Sequence, residues 1–180
     1  MKKGFTIIEL LVSIGIFIVV TTMVVANFRA GGRSDELKIS AETLVSNLRR
    51  AQNMALAGQL TDGVTPPGGY GVYFKLADIN HYIIFADSNG NLIYDDGEAL
   101  DDGIITLPQN VIIEKIEKTS GPASLGDIVF KPPKPVIYIC KTGVIPCETE
   151  DALFVTLKHT LSNKTKQVSV SRISGRINVE

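Results

Sequence analysis

The first 26 residues combine a short basic tip with a long apolar run. Lys2 and Lys3 precede the run, which extends from Phe5 to Ala26 and contains one ionisable side chain, Glu9. As an α-helix rising about 1.5 Å per residue, this run is roughly 33 Å long, enough to cross a bilayer core of about 30 Å. The basic tip predicts a cytoplasmic N-terminus. The segment is therefore predicted to anchor the chain in a membrane.

Different kinds of membrane segment compete for this run. A secretory signal peptide has a shorter apolar core and a small-residue cleavage site, for which residues 24–26 are the candidate. A plain signal anchor fits the length and the flanking charges. Neither explains Glu9, because a carboxylate in hydrocarbon costs on the order of 3 kcal/mol and implies a partner or a function.

Beyond Ala26 the sequence becomes polar but keeps a helical period. Gly31 and Gly32 are predicted to weaken the helix and permit a bend, Ser34 to cap a resumed helix, and Gly58 to end it. Apolar residues spaced by three and four positions form one stripe of this helix: Leu37, Ala41, Leu44, Leu48, Ala51 and Ala55. Such a stripe usually belongs to a core, so this half of the helix is predicted to hold a sheet.

The remaining sequence is typical of short β-strands. Runs rich in Val, Ile, Tyr and Phe, bounded by turn residues, predict strands at 70–75, 81–86, 104–107, 111–116, 128–131, 136–140, 153–159, 167–173 and 176–179. No long helix-period stretch lies among them. The sequence therefore predicts an α+β fold, in which one long N-terminal helix, half membrane-embedded and half amphipathic, packs on a β-rich globular head.

The N-terminal residues resemble the signature of type IV pilins and type II secretion pseudopilins. The segment that carries the resemblance is Gly4-Phe5-Thr6-Ile7-Ile8-Glu9-Leu10-Leu11-Val12. The resemblance implies that a prepilin peptidase cleaves after Gly4 and methylates the new N-terminal amine of Phe5. It also implies that Glu9, fifth in the mature chain, meets the N-terminal ammonium of a neighbouring subunit. Such pairing would offset the cost of a lone buried charge.

Two further segments are similar to the GspH/FimT branch of this family. Residues 44–58 contain a Leu-Arg-x-Ala-x-x-x-Ala pattern, and a serine-rich strand runs into Gly175-Arg176 near the C-terminus. The resemblance implies a leader at residues 1–4, a transmembrane and filament-core helix at 5–28, an amphipathic half at 29–58 and a globular head at 59–180.

The resemblance also implies a function, a set of partners and a location. The function is that of a minor pilin or pseudopilin, a structural subunit of a type IV pilus or type II secretion pseudopilus. The expected partners are prepilin peptidase, other subunits of the same filament, the inner-membrane assembly platform and, before assembly, membrane lipid. The helix is expected to cross the inner or cytoplasmic membrane once, with the head outside the cytoplasm. The alternative outside the family is a membrane-anchored β-domain that never joins a filament.

Charge is balanced overall but unevenly distributed. The net charge of −1 over 180 residues does not indicate a nucleic-acid binder. One segment holds only acids (Asp78, Asp87, Asp95, Asp96, Glu98, Asp101 and Asp102) and another only bases (Lys158, Lys164, Lys166, Arg172 and Arg176). These segments are either two solvated faces or complementary contacts between subunits.

The acidic segment contains a ligand spacing that resembles that of an EF-hand loop. Oxygen-bearing side chains occupy positions 1, 3, 5, 9 and 12 of a twelve-residue window, namely Asp87, Asn89, Asn91, Asp95 and Glu98. Leu92 stands where the EF-hand has glycine, and the flanks read as strands. The alternative is a hairpin loop around Asn89-Gly90, with acids that serve solubility. Calcium is therefore a hypothesis, and no other cofactor is expected.

The basic segment raises DNA binding as an alternative function, because some FimT-like minor pilins are implicated in DNA uptake. Arg176 matches the Gly-Arg pair of these proteins, and Arg172 is a second candidate contact. Asn178 stands where another arginine is expected, and one lost phosphate contact weakens such a site.

The remaining chemistry is limited. Cys140 and Cys147 are separated by six residues and form either a disulfide or two free thiols, since no nearby His completes a zinc site. His81 and His159 are isolated, and no nucleophile or phosphate-binding motif occurs. The chain is therefore predicted not to be an enzyme.

Overall fold

The fold comes from a computed structural model, which describes residues 6–132, 136–141 and 147–180. Within these ranges the chain forms one helix and ten strands, which confirms the predicted α+β class. The elements are α1 (Ile7–Ala57), β1 (Gly69–Lys75), β2 (His81–Asp87), β3 (Ala99–Thr106), β4 (Val111–Lys118), β5 (Gly121–Ala123), β6 (Leu125–Lys131), β7 (Val136–Ile139), β8 (Ala152–His159), β9 (Thr165–Ser171) and β10 (Ile177–Val179).

Helix α1 is 51 residues long and continuous, so it extends about 77 Å at 1.5 Å per residue. It begins after the N-cap Thr6 and ends at Gly58, whose φ of 57° is the left-handed conformation that glycine favours. The prediction that the helix stops near Gly31 and resumes at Ser34 is wrong. Each glycine costs about 1 kcal/mol, whereas an interruption would leave two more helix ends with unsatisfied backbone groups.

The two halves of α1 have opposite surroundings. Residues Ile7–Val25 have a mean hydropathy of 2.5, are long and apolar enough to cross a membrane, and are not covered by the head. In the second half the whole predicted stripe is buried: Leu37, Ala41, Leu44, Leu48, Ala51 and Ala55 are each at most 2% exposed. One helix thus supplies both an uncovered apolar rod and one wall of the head's core.

Two antiparallel five-stranded sheets form the head. Sheet 1 has the strand order β3-β2-β1-β6-β7, and sheet 2 has the order β10-β9-β8-β4-β5. Helix α1 packs against strands of both sheets, mainly β1 and β9. The core between them includes Tyr70, Phe74, Ile84, Ile113 and Phe130. Strand β8 alternates between buried and half-buried residues, so its outer face meets solvent, whereas β1 and β6 are buried on both faces over most of their length.

All nine predicted strands are present with shifted ends, and β5 was missed. Strand β3 begins at Ala99 rather than at residue 104, because its first half carries the exposed Asp101 and Asp102, which have low β-propensity. It is an edge strand of sheet 1, where outward charges discourage pairing with another chain. Strand β5 is only three residues long and contains Pro122, which is tolerated at the edge of sheet 2.

His159, at the end of β8, connects α1 to sheet 2. Its ring is fully buried, and Nδ1 accepts hydrogen bonds from the backbone N–H groups of Leu161 and Ser162 at 3.2 and 3.3 Å. The ring hydrogen is therefore on Nε2, which donates to Glu36 Oε2 at 3.2 Å. A single imidazole holds both the helix and the turn between β8 and β9.

Replacing His159 tests this connection. We expect His159→Ala to lower the free energy of unfolding by about 2–4 kcal/mol, because it removes a fully buried ring and leaves the N–H groups of Leu161 and Ser162 and the Glu36 carboxylate without this partner. The control is His81→Ala, which removes a partly exposed pair with Asp78 and is expected to cost less than about 1 kcal/mol. The measurement is denaturant unfolding of the full chain in detergent micelles. Equal losses of unfolding free energy for the two substitutions would contradict the role of His159 as the connection between α1 and sheet 2.

Candidate functional site

The first candidate site is the start of α1. Gly4 and Phe5, the predicted processing residues, lie outside the described residues, whereas Glu9 lies in the first helical turn. Thr6 and Glu9 form a capping box. The backbone N–H of Thr6 donates to Glu9 Oε2 at 3.4 Å, and Glu9 N–H donates to Thr6 Oγ1 at 3.4 Å. The carboxylate is thus held at the positive end of the helix dipole, against Thr6, the residue that follows the predicted mature N-terminus Phe5.

The second candidate site is the acidic loop, residues 88–98, which connects β2 to β3. It does not project into solvent as a simple hairpin but lies across the outer face of sheet 1. The Tyr94 ring stacks on Tyr73 of β1 with centroids 4.7 Å apart, and meets Phe85 of β2 edge-on at 5.4 Å. The Tyr94 N–H donates to Asp127 of β6 at 3.0 Å. The acidic loop therefore forms a third layer over this sheet.

Two glycines make room for the β2 side chains that this layer contacts. A Cβ at Gly71 would lie 2.5 Å from the Phe85 ring, and a Cβ at Gly68 would lie 1.7 Å from the Asp87 carboxylate. Glycine inside a strand often marks such a close approach. The glycines in Gly68-Gly69-Tyr70-Gly71 were therefore the sequence signal that something packs on this face.

Asp87 and Glu98 bind the two ends of the acidic loop to its own backbone. Asp87 is fully buried and accepts hydrogen bonds from Gly90 N–H at 2.6 Å and Leu92 N–H at 2.8 Å. Glu98 accepts from Ser88 N–H at 2.9 Å through Oε1 and from Asp95 N–H at 3.1 Å through Oε2. Both carboxylates act here as structural acceptors for backbone donors.

The other three predicted calcium ligands meet in the middle of the same loop. Asp95 Oδ2 accepts from the side-chain amides of Asn89 and Asn91 at 2.7 and 2.6 Å. Leu92, at the glycine position of the EF-hand pattern, has a φ of 68° and thus adopts the conformation that glycine would supply. Within the described ranges no group of three or more His, Cys, Asp or Glu side chains is arranged to hold a metal ion. Calcium binding stays a prediction.

A buried polar cluster lies beneath the acidic loop and joins the two sheets. Burial raises the pKa of Asp127 to about 6, against the opposing effects of the Tyr94 N–H and the positive charge of Lys118. Burial lowers the pKa of Lys118, which the charges of Asp127 and Glu150 oppose. Lys118 of sheet 2 also donates to the carbonyl oxygen of Cys140 at 2.5 Å, next to β7 of sheet 1.

In the structure Cys140 and Cys147 are joined by a disulfide. Cys140 Sγ lies 3.0 Å from the carbonyl oxygen of Leu92. The disulfide therefore lies beside the middle of the acidic loop and next to the cluster that contains Lys118.

The basic segment is partly neutralised within the chain. Arg172 donates from Nη2 to Asp151 Oδ1 at 2.6 Å and from Nε to the carbonyl oxygen of Glu150 at 3.1 Å. Lys158 pairs with Glu114 at 2.7 Å. Of the two arginines predicted to contact DNA, Arg176 is exposed, whereas Arg172 is engaged by its own head.

Comparisons with known proteins identify the N-terminal segment. Residues 1–25 match the family model described as "Prokaryotic N-terminal methylation motif". This match indicates a type IV pilin-like or pseudopilin subunit that is processed by prepilin peptidase and assembles with other pilins, and the apolar span of α1 fits the single-pass anchor typical of prepilins. No curated protein and no solved structure matches the chain significantly.

The raised pKa of Asp127 predicts a pH dependence of stability. The folded chain binds this proton more tightly than the unfolded chain, so the stabilisation is complete below pH 4 and is lost as the pH rises through 6. With a pKa near 6 against an ordinary 3.8, the wild type should lose about 3 kcal/mol of unfolding free energy over this range. Asp127→Asn should not show this loss, since an amide oxygen still accepts from Tyr94 but does not ionise.

The measurement is denaturant unfolding of the full chain in micelles at pH 4 and pH 7. Asp101→Asn, at an exposed position of β3, is the control and should follow the wild type. If the unfolding free energies of the wild type and Asp127→Asn depended on pH in the same way, the raised pKa of Asp127 would be contradicted.

The calcium hypothesis has a direct test. Because the loop's buried carboxylates already accept backbone hydrogen bonds, we expect calorimetric titration of the full chain in micelles with millimolar calcium to give no saturable heat. Saturable heat that Asp95→Asn abolishes and Asp101→Asn leaves intact would contradict this expectation and support a calcium site.

Proposed function

We propose that the chain is a minor pilin or pseudopilin of the GspH/FimT type, a structural subunit of a type II secretion pseudopilus or type IV pilus without catalytic activity. One observation carries the proposal. An N-terminal methylation motif continues into a single helix whose first half is apolar and uncovered and whose second half buries one face in a β-rich head. A membrane anchor alone does not require a carboxylate in its first turn.

The proposed mechanism is assembly through α1. Cleavage after Gly4 would make Phe5 the N-terminal residue, and its methylated amine would carry a positive charge. Uncovered apolar surface from Ile7–Val25 would bundle with the same surface of neighbouring subunits once the chain leaves lipid. Glu9 would then exchange its contact with Thr6 for a neighbour's ammonium, an ionic partner that offsets the cost of burying the carboxylate.

The two alternatives receive less support. DNA binding by the C-terminal arginines has to rely on Arg176, because Arg172 is bound to Asp151. A membrane-anchored β-domain that does not assemble would keep residues 1–4, whereas a processed subunit would lose them. Intact-mass measurement of the chain purified from membranes distinguishes these two cases.

Two substitutions separate processing from assembly. We expect Glu9→Ala to insert and be cleaved normally but to fall to background in the sheared filament fraction, because the neighbour's ammonium loses its partner. Gly4→Ala should markedly impair cleavage, so most of the chain should keep its leader. The measurements are intact mass and immunoblots of membrane and filament fractions.

Thr21→Ala is the matched control in the same apolar half of α1. Its hydroxyl donates only to the carbonyl oxygen of Phe17 within the helix, so its removal should leave cleavage and incorporation unchanged. Normal incorporation of Glu9→Ala would contradict the charge-pairing mechanism.

A further inference from the structure

The acidic loop contains the pair Asn89-Gly90, whose chemistry the proposed function does not use. Among the asparagines of the chain only Asn89 is followed by glycine. The backbone nitrogen of the next residue can attack an asparagine side chain, and glycine hinders this attack least because it has no side chain. Asn89 is exposed, so water reaches the product. The pair is therefore a candidate for covalent modification.

The reaction is the loss of ammonia through a cyclic imide. The backbone nitrogen of Gly90 bonds to Cγ of Asn89, the bond between Cγ and Nδ2 breaks, and Nδ2 leaves as ammonia with the proton from Gly90. One water molecule then opens the imide at either of its carbonyl carbons. The product is aspartate or, where the chain continues through Cγ, isoaspartate.

Hydrogen bonds occupy both reacting groups while the acidic loop keeps the conformation seen in the structure, which we call closed. Gly90 N–H donates to Oδ1 of the fully buried Asp87 at 2.6 Å. The leaving nitrogen of Asn89 donates to Asp95 Oδ2 at 2.7 Å, and Asn89 Oδ1 accepts from Asn91 N–H at 2.9 Å. Attack requires Gly90 to lose its proton and the Asn89 amide to turn toward it, so these bonds must break first.

Contacts with distant strands hold the loop closed. Tyr94 stacks on Tyr73, and its N–H donates to Asp127. Leu92 has a φ of 68°, and its carbonyl oxygen lies 3.0 Å from Cys140 Sγ. A leucine keeps such a conformation only when its surroundings hold it. Local opening of the loop is therefore the step that frees Asn89-Gly90 to react.

The product does not fit the closed loop. With a carboxylate at position 89, Asp95 loses a donor and meets a second negative charge where an amide nitrogen now lies 2.7 Å away. The buried Asp87 and Glu98 already bring two further carboxylates to the ends of this loop. Isoaspartate adds one carbon to the backbone as well. Both products therefore favour the open loop.

We propose that Asn89-Gly90 is a modification site controlled by the acidic loop: the closed loop protects it, opening permits the loss of ammonia, and the new carboxylate keeps the loop from closing again. A reversible opening thus becomes a permanent change on the outer face of sheet 1. The modification does not depend on filament assembly, so this proposal and the proposed function can fail separately.

The first test follows the loss of ammonia in the full chain in micelles at neutral pH, by mass spectrometry of peptides. In concentrated denaturant we expect Asn89 to react faster than every other asparagine of the chain. In the folded chain it should react at least about tenfold more slowly than in denaturant, because only the open loop reacts.

Two neighbouring acids provide a matched pair of variants for the same measurement. Asp95→Ala should raise the rate at Asn89 in the folded chain at least about fivefold, because the leaving nitrogen loses its charged acceptor. Asp96→Ala removes the same charge one residue later but leaves the bond from Asn89 to Asp95 in place, so it should keep the wild-type rate.

The second test asks whether the modified loop can close, with Asn89→Asp in place of the aspartate product. The amide hydrogens of Gly90 and Leu92 should exchange with solvent at least about tenfold faster in this variant than in the wild type. They should also exchange faster than in Asn89→Ala, which loses the same donor without adding a charge.

Each part of the proposal has an outcome that contradicts it. Equal rates at Asn89 in the folded and denatured wild type, or equal folded rates for Asp95→Ala and Asp96→Ala, would exclude protection by the closed loop. A slower reaction at Asn89 than at another asparagine in denaturant would exclude it as the modification site. Equal amide exchange in Asn89→Asp and Asn89→Ala would exclude the effect of the new charge. If the amides of β1 also lose protection in Asn89→Asp, the head unfolds rather than the loop alone, and the proposal is wrong.

Discussion

The structure depends on the burial of one face of α1 by two sheets. Neither sheet alone encloses its apolar side, and the stripe from Leu37 to Ala55 fills the space between them. Each large aliphatic side chain buried there contributes roughly 1.5–3 kcal/mol, which is more than a surface ion pair provides. The head therefore folds around the helix, and the helix cannot be moved relative to it without exposing the core.

The N-terminal half of the same helix, only a few turns before the buried stripe, is not covered by the head. Its single carboxylate is bound to the helix start. Lipid and neighbouring helices are interchangeable as surroundings for such a surface, because both are apolar. A chain that moves from lipid into a bundle of helices needs a surface that is apolar in both surroundings, with one polar contact that can be exchanged. The motif match and the uncovered apolar half of α1 both fit this requirement.

Local patterns in the sequence predicted much of the fold. The stripe of α1 and most strands follow from residue periodicity, which is set by neighbours in the chain. The path of the acidic loop did not follow, because Tyr94 meets Tyr73 and Asp127 from distant strands. The continuity of α1 was missed because two glycines weaken a helix locally without deciding its length. His159 and Glu36 are 123 positions apart in the sequence, so no local pattern predicts their contact.

The acidic loop also changes how the head should come apart. Strand β1 has α1 on one face and the loop's Tyr94 on the other, whereas the outer faces of β8 and β9 meet solvent. Opening of the head should therefore begin in sheet 2 and reach β1 last, so that the amide hydrogens of β1 exchange most slowly. If such a head were pulled by its helix, the force would act mainly on β1, its most protected strand. Sheet 2, whose outer face meets solvent, could then change conformation against neighbouring molecules without exposing β1.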